Sequence, residues 1–258
     1  MMNKTGHYLT VNGADIYYEL SGNRDGKPLL VLHGGLGSID DLQPLWAYIP
    51  ADAFVIAVDF RGHGRSTLGD APLSYAQYQQ DIEAVLDHLQ VNQYAIFGFS
   101  DGGIAGYRLA AAHPDKVERL VTLGSQWRLE PDDPAIRVLQ SLSADFWAQR
   151  FPEDVARYQA INPTPDFSRL VDAVKDVWLD VSHTGYPNQT VEAIQCPVLI
   201  MRGDNDFLFA LQEAVLLKAR IPEAEFANLP FTSHACHHED PQTVGKIVNR
   251  FLLNTDCS

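Results

Sequence analysis

The chain has 258 residues, 46% of them apolar and 20% charged, with 18 Gly and 15 Pro. This length suits one α/β domain and buries roughly three quarters of its unfolded surface, so the core needs no disulfide or metal staple. Lys and Arg number 19 against 33 Asp and Glu, and a formal charge of −14 argues against nucleic-acid and anionic-membrane partners.

Residues 7–11 and 16–20 are short alternating runs flanking Asn12-Gly13, a dipeptide whose tolerance of positive φ suits a tight hairpin. Beyond the Gly-, Asp- and Pro-rich turn at 22–28, continuous apolar runs recur at 29–32, 54–58, 94–97, 120–123 and 198–201. Continuous apolarity implies strands buried on both faces, as in a parallel sheet covered by helices. Helical stretches lie between them. Ser74-Tyr75-Ala76-Gln77 reads as a capping box, followed by an apolar stripe of Ile82, Val85, Leu86 and Leu89. Residues 104–112 form an Ala-rich helix stopped by Pro114, and 242–253 a closing helix with Val244, Ile247, Val248, Phe251 and Leu252 on one face. An antiparallel start followed by strand–helix alternation predicts an α/β fold: a mostly parallel central sheet flanked by helices.

One segment breaks this rhythm. Residues 125–196 carry no convincing strand but hold Trp127, Phe146, Trp147, Phe151, Trp178 and a helical stripe of Leu170, Val174, Val177 and Val181. An insertion this long, where a strand–helix connection is normally short, predicts a helical cap after the sixth strand. The expected division is a cap of residues 126–190 over a discontinuous core of residues 1–125 and 191–258.

Cys196, Cys236 and Cys257 are odd in number and far apart, with no CxxC pair. Residues 1–7 are not followed by the apolar stretch of a signal peptide, and no apolar run approaches bilayer length. The expected location is a reducing cytoplasm.

The sharpest motif is Gly98-Phe99-Ser100-Asp101-Gly102-Gly103, directly after the run at 94–97 and directly before the Ala-rich helix. A Gly-x-Ser-x-Gly between strand and helix is a nucleophile elbow: Ser100 must be strained and exposed, and only small residues at 98 and 102 let strand and helix approach closely enough. A serine hydroxyl needs a base, and the base needs an orienting acid. Downstream, Asp204 and Asp206 both follow the buried run at 197–202, and His234 follows a predicted strand at 225–229. The amide of Asp101, at the start of the helix, suits a developing oxyanion.

These segments resemble a family. Leu32-His33-Gly34-Gly35, Asp59-Phe60-Arg61-Gly62-His63-Gly64-Arg65-Ser66, Gly98 to Gly103, Gly203-x-x-Asp206 and His234 to Pro241 are similar to the successive signature segments of the α/β-hydrolase fold, over about residues 8–253. The resemblance selects Asp206 over Asp204, because the family's acid falls three residues after the strand-ending glycine. It selects His234 over His237 and His238, because the histidine stands five residues before the acid of Glu239-Asp240-Pro241. It also implies a second oxyanion amide in the loop after the first buried strand, at Gly35, with Leu36 as the alternative.

The cluster His234-x-x-His237-His238-Glu239 around Cys236 could suggest a metal, but a hydrolytic zinc needs three converging ligands and an open position, and His234 is already engaged. No metal or cofactor is expected. His33 and His63 are expected to hold loops, and the Gly-rich stretch 59–66 lacks the Gly-Lys-Ser/Thr end of a phosphate loop. Within the resemblance, a serine at the elbow disfavours dehalogenase and epoxide-hydrolase chemistry, which place Asp there. The expected function is hydrolysis of a small-molecule carboxylic ester, lactone or thioester through an acyl-enzyme on Ser100, with His234 as base and Asp206 orienting it. Carbon–carbon bond hydrolases of ring-cleavage diketones and non-catalytic ligand receptors on this fold stay open beside it. Amino-acid-ester hydrolases share a similar elbow, but residues 128–190 carry ten acids and six bases, nearly the same density of negative charge as the whole chain.

Overall fold

The computed structural model describes residues 4–253, so residues 1–3 and Cys257 lie outside the described residues. Eight strands form one sheet: β1 (Thr5–Val11), β2 (Ala14–Gly22), β3 (Lys27–Leu32), β4 (Ala53–Val58), β5 (Tyr94–Phe99), β6 (Val117–Leu123), β7 (Val198–Gly203) and β8 (Glu225–Leu229). The described α-helices are α1 (Tyr75–His88), α2 (Asp101–Ala112), α3 (Ala135–Ser141), α4 (Ala144–Arg150), α5 (Pro152–Ile161), α6 (Phe167–Leu179), α7 (Leu211–Arg220), α8 (Cys236–Glu239) and α9 (Pro241–Leu253). Two 3-10 segments, Ile39–Tyr48 and Asn188–Ala193, complete the set.

The spatial order is β1-β2-β4-β3-β5-β6-β7-β8. β2 pairs antiparallel with β1 and β4, and every later pair is parallel. The first hairpin turns at Asn12 and Gly13, whose φ of 46° and 79° are the positive values such a two-residue turn requires. The fold is the α/β architecture expected, with a mostly parallel sheet between helices.

The continuous apolar runs have a direct structural cause: each strand is packed on both faces. Leu30, Leu32 and Ile200 join one cluster with Ile82 of α1 and Leu109 of α2, while Leu29, Val31, Leu199 and Met201 face Val244, Val248 and Phe251 of α9. α1 starts where Ser74 accepts a hydrogen bond from the Gln77 amide at 3.0 Å, one half of the expected capping box.

Between β6 and β7 the chain forms α3 to α6 and no strand. One detail of the expected stripe is corrected. α6 ends at Leu179, so Val181 lies beyond the helix and is exposed; the buried face is Leu170, Val174, Val177 and Trp178.

The chain runs from β3 outward to β4 and then crosses back to β5 on the other side of β3. Loops that leave the C-terminal ends of β3 and β5 therefore part in opposite directions, and the crevice between them is where open α/β sheets place ligands. Among the described residues, no helix is long and apolar enough to cross a membrane.

Candidate active site

Ser100 stands at the C-terminal end of β5, with φ 51° and ψ −117°. A side chain is rarely held at this φ, and the surroundings show what forces it. A Cβ on Gly98 would lie 2.4 Å from the Gly102 carbonyl group, and one on Gly102 would lie 2.4 Å from the Leu32 carbonyl oxygen. β5, α2 and the end of β3 thus meet at backbone contact, and the turn lifts Ser100 out of the strand. The Ser100 carbonyl accepts the amides of Gly103 and Ile104, at 2.9 and 3.1 Å, starting α2.

β7 and β8 deliver the other two candidate groups. His234 Nε2 lies 3.1 Å from Ser100 Oγ, and His234 Nδ1 lies 3.0 Å from both carboxylate oxygens of Asp206. Asp206 also accepts the amides of Leu208 and Phe209, at 2.9 and 3.0 Å, so its carboxylate acts as an acceptor throughout. Nδ1 must then donate, which leaves Nε2 as the acceptor for the serine hydroxyl. Gly124, at φ 62°, makes room for the pair: a Cβ there would lie 3.2 Å from both Asp206 Oδ2 and the His234 ring. Glu239 ties the histidine loop down by accepting the amide and hydroxyl of Ser233.

The neighbouring candidates lie elsewhere. Asp204 is exposed and accepts from Asn228 Nδ2 at 2.6 Å. His237 is fully buried with its ring centroid 4.3 Å from that of Phe99, and burial holds its pKa well below the usual histidine value. Burial likewise pushes the Cys236 thiol up to about 12.

The turn Gly34 to Gly37 follows β3 and sits over the elbow. Gly37 donates to the Gly34 carbonyl at 3.2 Å, Leu36 takes a φ of 59°, and a Cβ on Gly34 would lie 3.3 Å from Ser100 Cβ. His33 anchors this turn. Its Nδ1 reaches the Gly34 carbonyl at 2.6 Å, and its Nε2 accepts the Phe60 amide at 3.0 Å, so the ring is neutral. Burial lowers its pKa to about 3. Asp59, also buried, accepts the amides of Ile39 and Arg65, both at 2.8 Å, and burial raises its pKa to about 7. Asn162 of the β6–β7 insertion donates to the carbonyls of Gly64 and Ser66 at 2.9 Å, binding the inserted helices to the Gly-rich stretch.

Two side-chain roles escaped the sequence reading. The side chain of Asp101 is buried beside Ser100, where it accepts from Tyr75 Oη at 3.0 Å and from Trp178 Nε1 at 3.0 and 2.9 Å. Burial raises its pKa to about 6, while the donors Trp178 and Tyr75 act against that rise. Trp178 also closes over the turn, since a Cβ on Gly35 would lie 2.6 Å from its ring. The sequence signal was present but unreadable: an acid after Ser100 and an indole on a helical stripe, with no indication that they meet.

Comparison with known proteins bears on the fold. A family model described as alpha/beta hydrolase fold matches residues 27–172. A protein of Caulobacter sp. (strain K31), provisionally named carbamate hydrolase RutD, is 29% identical over 94% of this chain and 97% of its own length. Esterase YbfF of Escherichia coli (strain K12) is 26% identical over 88% of this chain and 94% of its own. The solved structure of a meta-cleavage product hydrolase from Pseudomonas fluorescens IP01 superposes with a TM-score of 0.81 at 18% identity, covering 95% of this chain and 97% of that one, which is a likeness of fold.

Proposed function

Since the chain belongs to the α/β-hydrolase fold family and is a hydrolase of that fold, we propose that it is a serine hydrolase that cleaves a small-molecule carboxylic ester, lactone or thioester. The observation that carries this reading is the continuous relay from Ser100 Oγ through His234 to Asp206, at 3.1 and 3.0 Å. In the proposed reaction His234 Nε2 takes the hydroxyl proton as Ser100 attacks the acyl carbon, and returns it to the leaving alcohol or thiol. Asp206 holds the imidazole in the tautomer that makes this transfer possible and stabilises the cation that forms. Water then attacks the acyl-enzyme with the same base.

The tetrahedral intermediate carries negative charge on the former carbonyl oxygen. The amides of Asp101 and Gly35 are the proposed donors to it, and the removal of one such donor raises a barrier by about 2.7–4 kcal/mol. Asp101 supports this role as the first residue of α2, where an amide has no intrahelical partner. Gly35 supports it from the turn over the elbow. Residues 126–190 act as the cap, with Trp178 as the wall of the substrate site, while residues 1–125 and 191–258 carry the chemistry.

Rates on p-nitrophenyl esters of increasing acyl length, measured beside a vinylogous 1,5-diketone, test the reading. Ester turnover without diketone cleavage supports it; diketone cleavage without ester turnover assigns carbon–carbon bond hydrolysis instead.

A further inference from the structure

A groove of about 620 Å³ opens between the C-terminal half of α2, the segment after β6 and the chain at 183–190. Ser100, Asp206 and His234 do not line it. Arg108, which does, stands eight residues beyond Ser100, about 12 Å along the axis of α2.

Three guanidiniums line this groove in a chain of net charge −14: Arg108, Arg128 and Arg220. Two are answered by acids. Arg128 grips both oxygens of Glu213, at 2.8 and 3.0 Å, and reaches Glu130 at 2.6 Å; Arg220 pairs with Glu192. Arg108 differs from both. Its Nε donates to Gln79 Oε1 at 3.1 Å, and its Nη1 donates to the carbonyls of His183 and Gly185, at 3.2 and 2.8 Å. All three acceptors are neutral. Among the described residues it forms no ion pair, and its Nη2 takes no acceptor.

The fork is thus already oriented by three hydrogen bonds, so little freedom is lost when its last arm meets an anion. Burial lowers the pKa of Arg108, with the more distant Asp180 and Glu83 opposing that shift, so a contacting counter-charge would relieve a partly desolvated cation. The charge balance limits what that anion can be. Glu130, Glu213 and Glu192 stand around the groove and would repel a polyanion, whereas one negative charge matches the one open arm. The remaining walls include half-buried Ala111 and exposed Ala112, one turn beyond Arg108 on α2, which offer apolar surface.

We propose that this groove binds a small monocarboxylate with an apolar body, the carboxylate on Arg108 and the body against Ala111 and Ala112. The site is separate from the elbow, and the proposal does not depend on the reaction performed there. Tyr186 is the partition: it lines the groove, while its ring lies 5.2 Å from that of Tyr75, the donor to Asp101.

Benzoate is the probe. The whole protein is titrated with sodium benzoate at fixed ionic strength by calorimetry, and the arginine Nε signals are followed by NMR, with benzamide and inorganic phosphate as comparisons. The expected result is saturable binding of benzoate that moves the Arg108 Nε signal, with no saturation by benzamide or phosphate. Arg108→Gln should weaken benzoate binding about tenfold or more, as the loss of a charge-assisted hydrogen bond does, while Arg108→Lys retains part of it and exposed Arg137→Gln all of it. Melting curves of each variant separate lost binding from lost folding. A benzoate titration that stays linear, equal binding of benzamide, equal binding of phosphate, or an undiminished affinity in folded Arg108→Gln overturns the proposal. So does benzoate binding that disappears when Ser100 is sulfonylated, because the ligand would then occupy the elbow.

Discussion

Trp178 Nε1 lies within 3.0 Å of both carboxylate oxygens of Asp101, so one indole N–H joins α6 to the residue that follows Ser100. This hydrogen bond favours the ionised form of a carboxyl group that burial has raised to about 6. Trp178→Phe keeps an aromatic ring and removes the donor, leaving only the hydroxyl of Tyr75. The pKa of Asp101, read from its carboxyl carbon by NMR, should rise further, and urea unfolding should show a loss of roughly 1–3 kcal/mol. An unchanged or lowered pKa would show that the indole does not hold the charge.

The elbow is sterically closed. Gly98→Ala puts a methyl group 2.4 Å from the Gly102 backbone, where no flexible side chain can yield. It should destabilise the fold by about 1–3 kcal/mol and lower kcat sharply, because the serine moves with the turn. Gly13→Ala is the comparison: its φ of 79° strains an alanine, yet nothing lies within 4 Å of the added atom. That variant should lose roughly 1–2 kcal/mol with kcat unchanged. Equal kcat in the two variants would deny the elbow its special geometry.

Asp59 gives the protein a stability that falls as pH rises. Its carboxyl titrates near 7 in the fold against 3.8 when unfolded, so the folded state binds the extra proton between these values. The contribution is complete below about pH 4 and lost as pH rises through 7, a change on the order of 3–5 kcal/mol. His33, lowered from 6.5 to about 3, acts in the opposite sense: its contribution is present above 6.5 and lost as pH falls toward 3. Asp59→Asn should therefore flatten the decline in unfolding free energy between pH 5 and pH 8. Denaturant curves at those two values decide it, and a decline as steep as that of the parent protein would rule out Asp59 as its source.

Asp206 and Asp204 should differ widely in effect. Asp206→Asn preserves shape but lets His234 present the wrong tautomer, a change expected to lower kcat by about 10⁴-fold. Asp204→Asn touches only a surface hydrogen bond to Asn228 and should leave kcat within about twofold. Comparable losses in both would reopen the assignment of the acid.

The strands and the elbow were legible because their cause is local. A strand packed between two helical layers is apolar on both faces, and Gly98 answers a clash with Gly102, four residues along the chain. The choice between Asp204 and Asp206 was not legible from the residues alone; family resemblance was needed to separate two acids in one loop. The contact of Trp178 with Asp101 was less accessible still, since it depends on how α6 packs, and periodicity fixes a face of a helix but not its neighbour. Val181 shows the same limit: it continued the stripe in sequence after the helix had ended.

The account rests on Ser100 as the attacking group. The most direct test is the kcat of Ser100→Ala on p-nitrophenyl acetate, with circular dichroism and the melting temperature showing the fold intact. A fall of at least about 10⁴-fold is the predicted result. Retention of activity within about tenfold of the parent would contradict the account, because hydrolysis would then proceed without the serine at the elbow.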